Sequence, residues 1–245
     1  MSTPLAGETV LVTGASSGIG AATVRRVAVD GADVALLARS EDRLRDLADE
    51  VATDHGVETH VVPADVRDAA EVAAAVESTV ETLGGLSGVV ANAGLARGSD
   101  IETMTDEDFL TMQRVNTEGT FYTARKSLAA LRETAGNLVF IGSFAGKYPR
   151  PFNPVYAATK WWVRGFAMSL AAQVGDDVGV SVVNPSEVRT EFESADGTPF
   201  EEVFEEGEVT EPEEVADAVT FALARSPPTT VNELDVYRRD KFSQF

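Results

Sequence analysis

The chain contains no cysteine, which excludes a disulfide framework, a thiolate nucleophile and a cysteine-ligated metal, so any redox chemistry must be brought by a bound cofactor. It has only two histidines, His55 and His60; both lie near an expected strand, far from the chemical residues, and are read as surface or strand residues with no metal site. No run of about 18 apolar residues occurs, and Met1 to Glu8 lack a basic start followed by an apolar stretch, so the expectation is a cytoplasmic protein with no membrane partner. Basic residues are scarce: 20 Lys plus Arg stand against 40 Asp plus Glu, a formal net charge of −20, and the only lysines are Lys126, Lys147, Lys160 and Lys241. Nucleic acid and anionic membranes should be repelled. So few lysines among so many carboxylates suit a salt-rich, halophilic cytosol, because molar salt shortens the screening length to roughly 3 Å; an ordinary acidic surface is the plainer reading.

What is present is an alternation. Short β-branched runs at Thr9 to Thr13, Asp33 to Ala38, Glu58 to Val62, Gly88 to Ala91, Asn137 to Ile141, Gly179 to Asn184 and Glu233 to Val236 read as strands. Segments of helical periodicity separate them: Gly18 to Val29, Glu41 to Asp54, Ala69 to Leu83, Asp106 to Arg132, Val155 to Val174 and Pro212 to Ala224. A βα alternation of this kind predicts an α/β protein, a doubly wound parallel sheet covered by helices on both faces, and 245 residues fit a single domain, 1–245. Thr105 with Asp108, and Thr210 before Pro212, mark two helix starts. Thr190 to Gly207 breaks the rhythm: it is acidic, carries Phe192, Phe200 and Phe204, and reads as a mobile lid.

Gly14-Ala15-Ser16-Ser17-Gly18-Ile19-Gly20 leaves the first strand and enters a helix. Glycines there permit a sharp turn, a close backbone approach to a pyrophosphate and tight helix–strand contact, while the helix start offers N–H groups and a positive dipole end. An NAD site places an acid at the end of the second strand; this chain has Arg39, which can bond a 2′-phosphate, so NADP is expected over NAD unless Arg39 merely opens the next helix. Asp65, beyond the third strand, reads as an adenine contact or as a helix cap. Asn92-Ala93-Gly94 leaves room for ribose and pyrophosphate, or is an ordinary turn.

Tyr156 and Lys160 are four apart on an expected helix and therefore share a face. A phenol beside an ammonium and an oxidised nicotinamide is drawn toward its phenolate, and can act as general base to an alcohol or general acid to a carbonyl. Ser143 closes a strand 13 residues upstream, where a hydroxyl can hold the substrate oxygen. Asn116 is a polar residue in an apolar helix; alone it reads as a satisfied core amide.

Taken together, Thr13 to Gly20, Asn92-Ala93-Gly94, Asn116, Ser143, Tyr156-x-x-x-Lys160 and Asn184-Pro185 resemble, in order and spacing, the short-chain dehydrogenase/reductases over nearly the whole chain. The resemblance implies a three-layer Rossmann fold with a seven-stranded sheet and hydride exchange between the nicotinamide and an alcohol or carbonyl. It gives Ser143 the task of orienting substrate, Tyr156 the proton, Lys160 the nicotinamide ribose, and Asn116 a water-linked relay. Pro185, Val188 and Thr190 fall at the family's nicotinamide contacts, and Gly14, Ser16, Ser17, Gly18 and Ile19 at its pyrophosphate turn.

The chain departs from the family at Ala91, where Asn is common, and at Ser186, where Gly is; the added Cβ there bears on the backbone path. Ala145 to Pro149, Val231 to Leu234 and Arg39 resemble a branch acting on serine and related 3-hydroxy acids, for which Arg150 or Lys147 would hold the carboxylate. Phe144 to Asn153, Leu95 to Ser99 and the lid are read as the specificity segments. Trp161 and Trp162 are read as core or as part of the interface of a homotetramer or homodimer. A catalytically idle NADP-binding sensor or scaffold is the rival from another class; an enoyl reductase or extended epimerase fits the spacings poorly.

Overall fold

The structure, a computed structural model, describes residues 3–97, 100–193 and 197–243; Gly98 and Ser99 of the expected specificity segment, and Ser194 to Asp196 of the expected lid, lie outside the described residues. Seven strands, β1 (Thr9–Thr13), β2 (Asp33–Ala38), β3 (Thr59–Pro63), β4 (Gly88–Ala91), β5 (Asn137–Ile141), β6 (Gly179–Pro185) and β7 (Glu233–Val236), form one sheet in the order β3-β2-β1-β4-β5-β6-β7. Every pairing is parallel. A parallel sheet must be covered on both sides, and alternate strand residues divide accordingly. Val10, Val12, Val34, Leu36, Val90 and Val139 pack on α1 (Gly18–Val29), α2 (Glu41–His55) and α8 (Pro212–Leu223). Leu11, Leu37, Val89, Leu138 and Phe140 pack on α3 (Ala69–Leu83), α5 (Thr120–Thr134) and α6 (Pro154–Val174). The expected α/β, doubly wound, seven-stranded Rossmann architecture is what the chain adopts.

Three local readings change. The helix expected over Asp106 to Arg132 is α4 (Asp106–Met112), a π-helical stretch at Gln113–Gly119, and α5. The wider turn carries Asn116, and such insertions often accompany functional positions. Thr105 caps α4 through its hydroxyl to the Asp108 N–H, as the spacing predicts. The cap of α8 is Glu211 in a reciprocal box with Glu214, so Thr210 is one residue too early: Glu211 has the reach to bond back onto its own first turn. The third change is in the lid segment, which contains the short helix α7 (Phe200–Val203).

Strand order reverses at β1: the chain runs outward through β2 to β3, then crosses back to β4 on the other side of β1. In open sheets of this kind the crevice lies beyond the carboxyl ends of the strands at that switch point. Among the described residues no helix is long and apolar enough to cross a membrane.

Candidate active site

A cleft of about 720 Å³ runs along the carboxyl ends of β1 through β6. Its walls include Gly14, Ser16, Ser17, Gly18 and Ile19 after β1, Arg39 after β2, Asp65 after β3, and Asn92, Ala93 and Gly94 after β4. Ser143, Tyr156, Lys160, Pro185, Val188 and Thr190 complete them. Asn116 does not line the cleft but lies next to it: a Cβ built on Gly94 would stand 3.5 Å from both Asn116 Oδ1 and Lys160 Nζ.

At one end, no side chain caps the start of α1, so its first N–H groups face the turn. Gly14 has φ +66°, and a Cβ on it would come within 2.8 Å of Asn92 Nδ2. Asn92 clamps this turn, its amide donating to the carbonyl oxygens of Thr13 (2.9 Å) and Gly14 (3.2 Å), while Thr13 Oγ1 accepts from the N–H groups of Asn92 and Ala93. Asn92 and Ala93 are therefore more than an ordinary turn: they hold the glycine loop against the sheet. Asp65 is held by Arg67, whose guanidinium keeps its carboxyl below the usual range. The helix-cap reading of Asp65 is corrected, since Asp68 caps α3. Arg39 is exposed at the cleft wall and makes neither hydrogen bond nor ion pair with any described residue.

At the other end, Asn153 caps α6 by accepting from the Tyr156 N–H (3.1 Å), and so sets Tyr156 in the first turn. One turn on, Lys160 is buried and donates to the Ile141 carbonyl (2.9 Å) at the end of β5. Burial drops its pKa to about 8. Burial pushes the Tyr156 phenol above its ordinary value, against the opposing influence of the neighbouring Ser143 hydroxyl and the Arg150 charge. Lys160 Nζ lies 5.8 Å from the Tyr156 ring centre. Asn116 is fully engaged, accepting from the Leu95 N–H (2.9 Å) and donating to the Leu95 carbonyl (2.8 Å) and Thr159 Oγ1 (3.0 Å).

Ser186 keeps a negative φ, donates its N–H to Val236 and accepts from Arg238 at Oγ, so the backbone path needs no glycine. Lys147 is corrected as a substrate contact: it pairs with Asp235 (2.8 Å) and Glu233 (3.4 Å), outside the cleft walls. Trp161 and Trp162 are exposed, with Trp162 stacked on Phe166, which removes the core reading.

The structure also brings in residues that the sequence reading missed. Glu187 lines the cleft, with its carboxylate on Lys241 and Arg150; burial opposes its ionisation, but these cations hold it below the usual range. Arg97 reaches Glu193 of the lid segment, and Arg43 reaches Glu191. These partners are 37 to 148 residues apart, and no local pattern announces them. The one available signal was the clustering of three phenylalanines among the acids of the lid.

Against known proteins, residues 8–199 match the short chain dehydrogenase family. An uncharacterised oxidoreductase of Staphylococcus aureus strain MRSA252 is 32% identical over 236 residues, covering 96% of this chain and 98% of the relative. The solved alcohol dehydrogenase of the archaeon Thermococcus sibiricus, complexed with 5-hydroxy-NADP, has a TM-score of 0.87 at 32% identity, covering 94% of this chain and 96% of that one. A 3-ketoacyl-(acyl-carrier-protein) reductase of Brucella melitensis complexed with NADH follows at 0.84 and 28%, covering 95% and 97%. Family match, coverage and sheet order agree with one another: the chain belongs to the short chain dehydrogenase family.

Proposed function

We propose that the chain is an NADP-dependent oxidoreductase that interconverts alcohols and carbonyl compounds, with Tyr156 as general acid and base. The observation that carries this is a single cleft with Ser143 and Tyr156 on its wall one turn from a buried Lys160 at one end, and at the other Arg39, which makes no hydrogen bond or ion pair with any described residue. The residues present fit a dinucleotide. Gly14, Ser16, Ser17, Gly18 and Ile19 would hold the pyrophosphate at the uncapped start of α1, Arg39 the 2′-phosphate, Asp65 the adenine, and Asn92, Ala93 and Gly94 the ribose. Pro185, Val188 and Thr190 would border the nicotinamide, and Lys160 would bond its ribose. Bound nicotinamide supplies the two-electron carrier that exchanges hydride with the substrate carbon. Tyr156 takes or gives the proton at its hydroxyl oxygen, Ser143 orients the substrate oxygen, and the Lys160 charge favours the phenolate. Asn116 serves here as a positioning residue, since both ends of its amide are committed to Leu95 and Thr159.

Cofactor reduction followed by absorbance, across 3-hydroxy acids, polyols, sugars and secondary alcohols with NADP and NAD in parallel, tests this reading. Arg39→Ala should raise the KM for NADP roughly 10- to 100-fold, the loss of one or two charge-assisted bonds, and leave that for NAD in place. Equal KM values before and after would remove the NADP preference, and silence with every compound in both directions would leave the idle reading.

The same proposal covers assembly and salt. Exposed Trp161, Trp162 and Met168 on α6, with Phe109 and Leu110 on α4, form an apolar face of the kind that a second subunit covers in a homodimer or homotetramer. A charge of −20 repels itself in dilute buffer. Sedimentation and thermal melting across dilute to molar KCl should show an oligomer whose Tm rises with salt; monomer alone at molar salt rejects the assembly, and a flat Tm rejects the adaptation to salt.

A further inference from the structure

An aromatic row starts at the chemical centre. Ring centres of Tyr156 and Phe192 are 5.7 Å apart, those of Phe192 and Phe200 6.0 Å, and those of Phe200 and Phe204 5.8 Å. Three of the four rings belong to the lid segment, whose backbone sets their spacing. The Phe200 N–H donates to the Phe192 carbonyl (3.0 Å), the Phe192 N–H to Thr190 Oγ1 (3.2 Å), and Arg189 Nε to the Phe204 carbonyl (3.2 Å). On and just beyond α7, Phe200, Val203 and Phe204 fall at i, i+3 and i+4 and all line the cleft, while Glu201 and Glu202 are exposed and do not. Phe152 and Val203 remain 72% and 47% exposed on the cleft wall. Apolar side chains are costly to display on so acidic a surface, and such patches mark ligand grooves.

The arginines in the same half of the cleft are matched by carboxylates. Arg97 pairs with Glu193, and Arg150 with Glu187, which also holds Lys241. The remaining cation there, Lys160, is buried on the Ile141 carbonyl and is the group expected to bond the cofactor ribose, and Arg39, which makes no ion pair with any described residue, is at the other end. Between Thr190 and Gly207 the chain carries seven Asp or Glu and no Lys or Arg. Glu191 is paired with Arg43, but the exposed Glu201, Glu202, Glu205 and Glu206, on and just beyond the α7 that borders the cleft, put a negative field beside it that repels anions.

Resting on the alcohol–carbonyl reading above, we propose that the substrate is a neutral secondary alcohol, or its ketone, whose aryl or branched alkyl group seats on Phe192, Phe200 and Phe204. A hydroxy acid is thereby disfavoured on two counts, an occupied Arg150 and an anionic cleft border. In oxidation the carbinol loses its C–H hydrogen as hydride to the oxidised cofactor and its O–H proton to Tyr156, leaving the C=O bond. The apolar group takes no part in this balance; it sets the carbon over the proton-transfer oxygen.

Kinetics with 1-phenylethanol, 3-hydroxybutyrate and glycerol test the class, together with acetophenone binding to the NADPH complex by saturation-transfer NMR. The expected kcat/KM for 1-phenylethanol exceeds that for 3-hydroxybutyrate by roughly 100-fold or more in dilute buffer, and the gap narrows in molar KCl as the cleft border is screened. Phe200→Ala and, independently, Phe204→Ala should each raise the KM for 1-phenylethanol about 10-fold with a much smaller change in kcat. Preference for the hydroxy acid or glycerol, or an unchanged KM in both variants, overturns the proposal, as does absence of both turnover and acetophenone binding. Acetophenone binding that Phe200→Ala weakens, without turnover of any alcohol, would support the seat while overturning the Tyr156 chemistry on which the functional reading stands.

Discussion

Tyr156→Phe should lower kcat for alcohol oxidation by about 10³-fold, inside the 10²–10⁴ that a positioned acid or base contributes. The substitution keeps the ring that faces Phe192 and removes only the hydroxyl beside Ser143, so the fold should lose no more than about 1 kcal/mol, the worth of one neutral hydrogen bond. NADPH should still saturate the variant, because its expected contacts at Gly14 to Ile19 and Arg39 are untouched. The pH dependence carries the sign of the mechanism. Burial holds the phenol above its ordinary value, so oxidation by the wild type should accelerate as pH rises toward the phenolate, and the residual rate of the variant should lose that limb. A variant that turned over as fast as wild type would end the case for Tyr156; one that neither melted cooperatively nor bound NADPH would show structural damage instead.

Gly20→Ala should cost the fold about 3 kcal/mol, at or beyond the upper end of ordinary overpacking, and lower the Tm by roughly 6–12 °C. A Cβ there would overlap the Gly14 carbonyl oxygen and stand 2.7 Å from Asn92 Nδ2 and 2.8 Å from the Gly14 carbonyl carbon. Backbone atoms cannot swing aside as a flexible side chain would. Relief requires the glycine turn to leave the sheet and break the Asn92 clamp, so NADPH affinity should fall by more than 10-fold, or about 1.4 kcal/mol. Gly165→Ala is the matched control: it sits on the face of α6 that is exposed in the protomer, with nothing within 4 Å of its Cβ, and should gain up to about 1 kcal/mol from helix propensity. Melting of Gly20→Ala within a degree of wild type, with unchanged NADPH titration, would contradict the close approach.

The strands were legible because a buried parallel strand must be a short apolar run, and β1, β2, β4 and β5 have the expected bounds. Helix α1 could be read from Gly18 because glycine, serine and the strand before it leave few other paths. The break at Gln113–Gly119 could not be read from local periodicity: its wider turn carries Asn116, whose amide bonds Leu95 and Thr159, 21 and 43 residues away in the chain. Tyr156 and Lys160 were visible as a pair because four residues on a helix define a face, whereas their relation to Ser143 depends on where β5 ends beside α6.

By itself the sequence determined the layered α/β sheet, the glycine turn, the Tyr156–Lys160 face and the excess of negative charge, all of which follow from local periodicity, spacing or composition. Only the tertiary structure decided which cations are available and which are spent. Lys147 and Arg150 were equal candidates for a substrate carboxylate in the sequence, but Asp235, Glu233 and Glu187 claim them across 37 to 88 residues of chain. Arg39, at the far end of the same cleft, makes no hydrogen bond or ion pair with any described residue. The phenylalanines of the lid likewise became a row beside Tyr156 only when the chain after β6 folded back over the strand ends, since ring-to-ring contact and ion pairing act over a few ångströms in space and leave no period in the sequence.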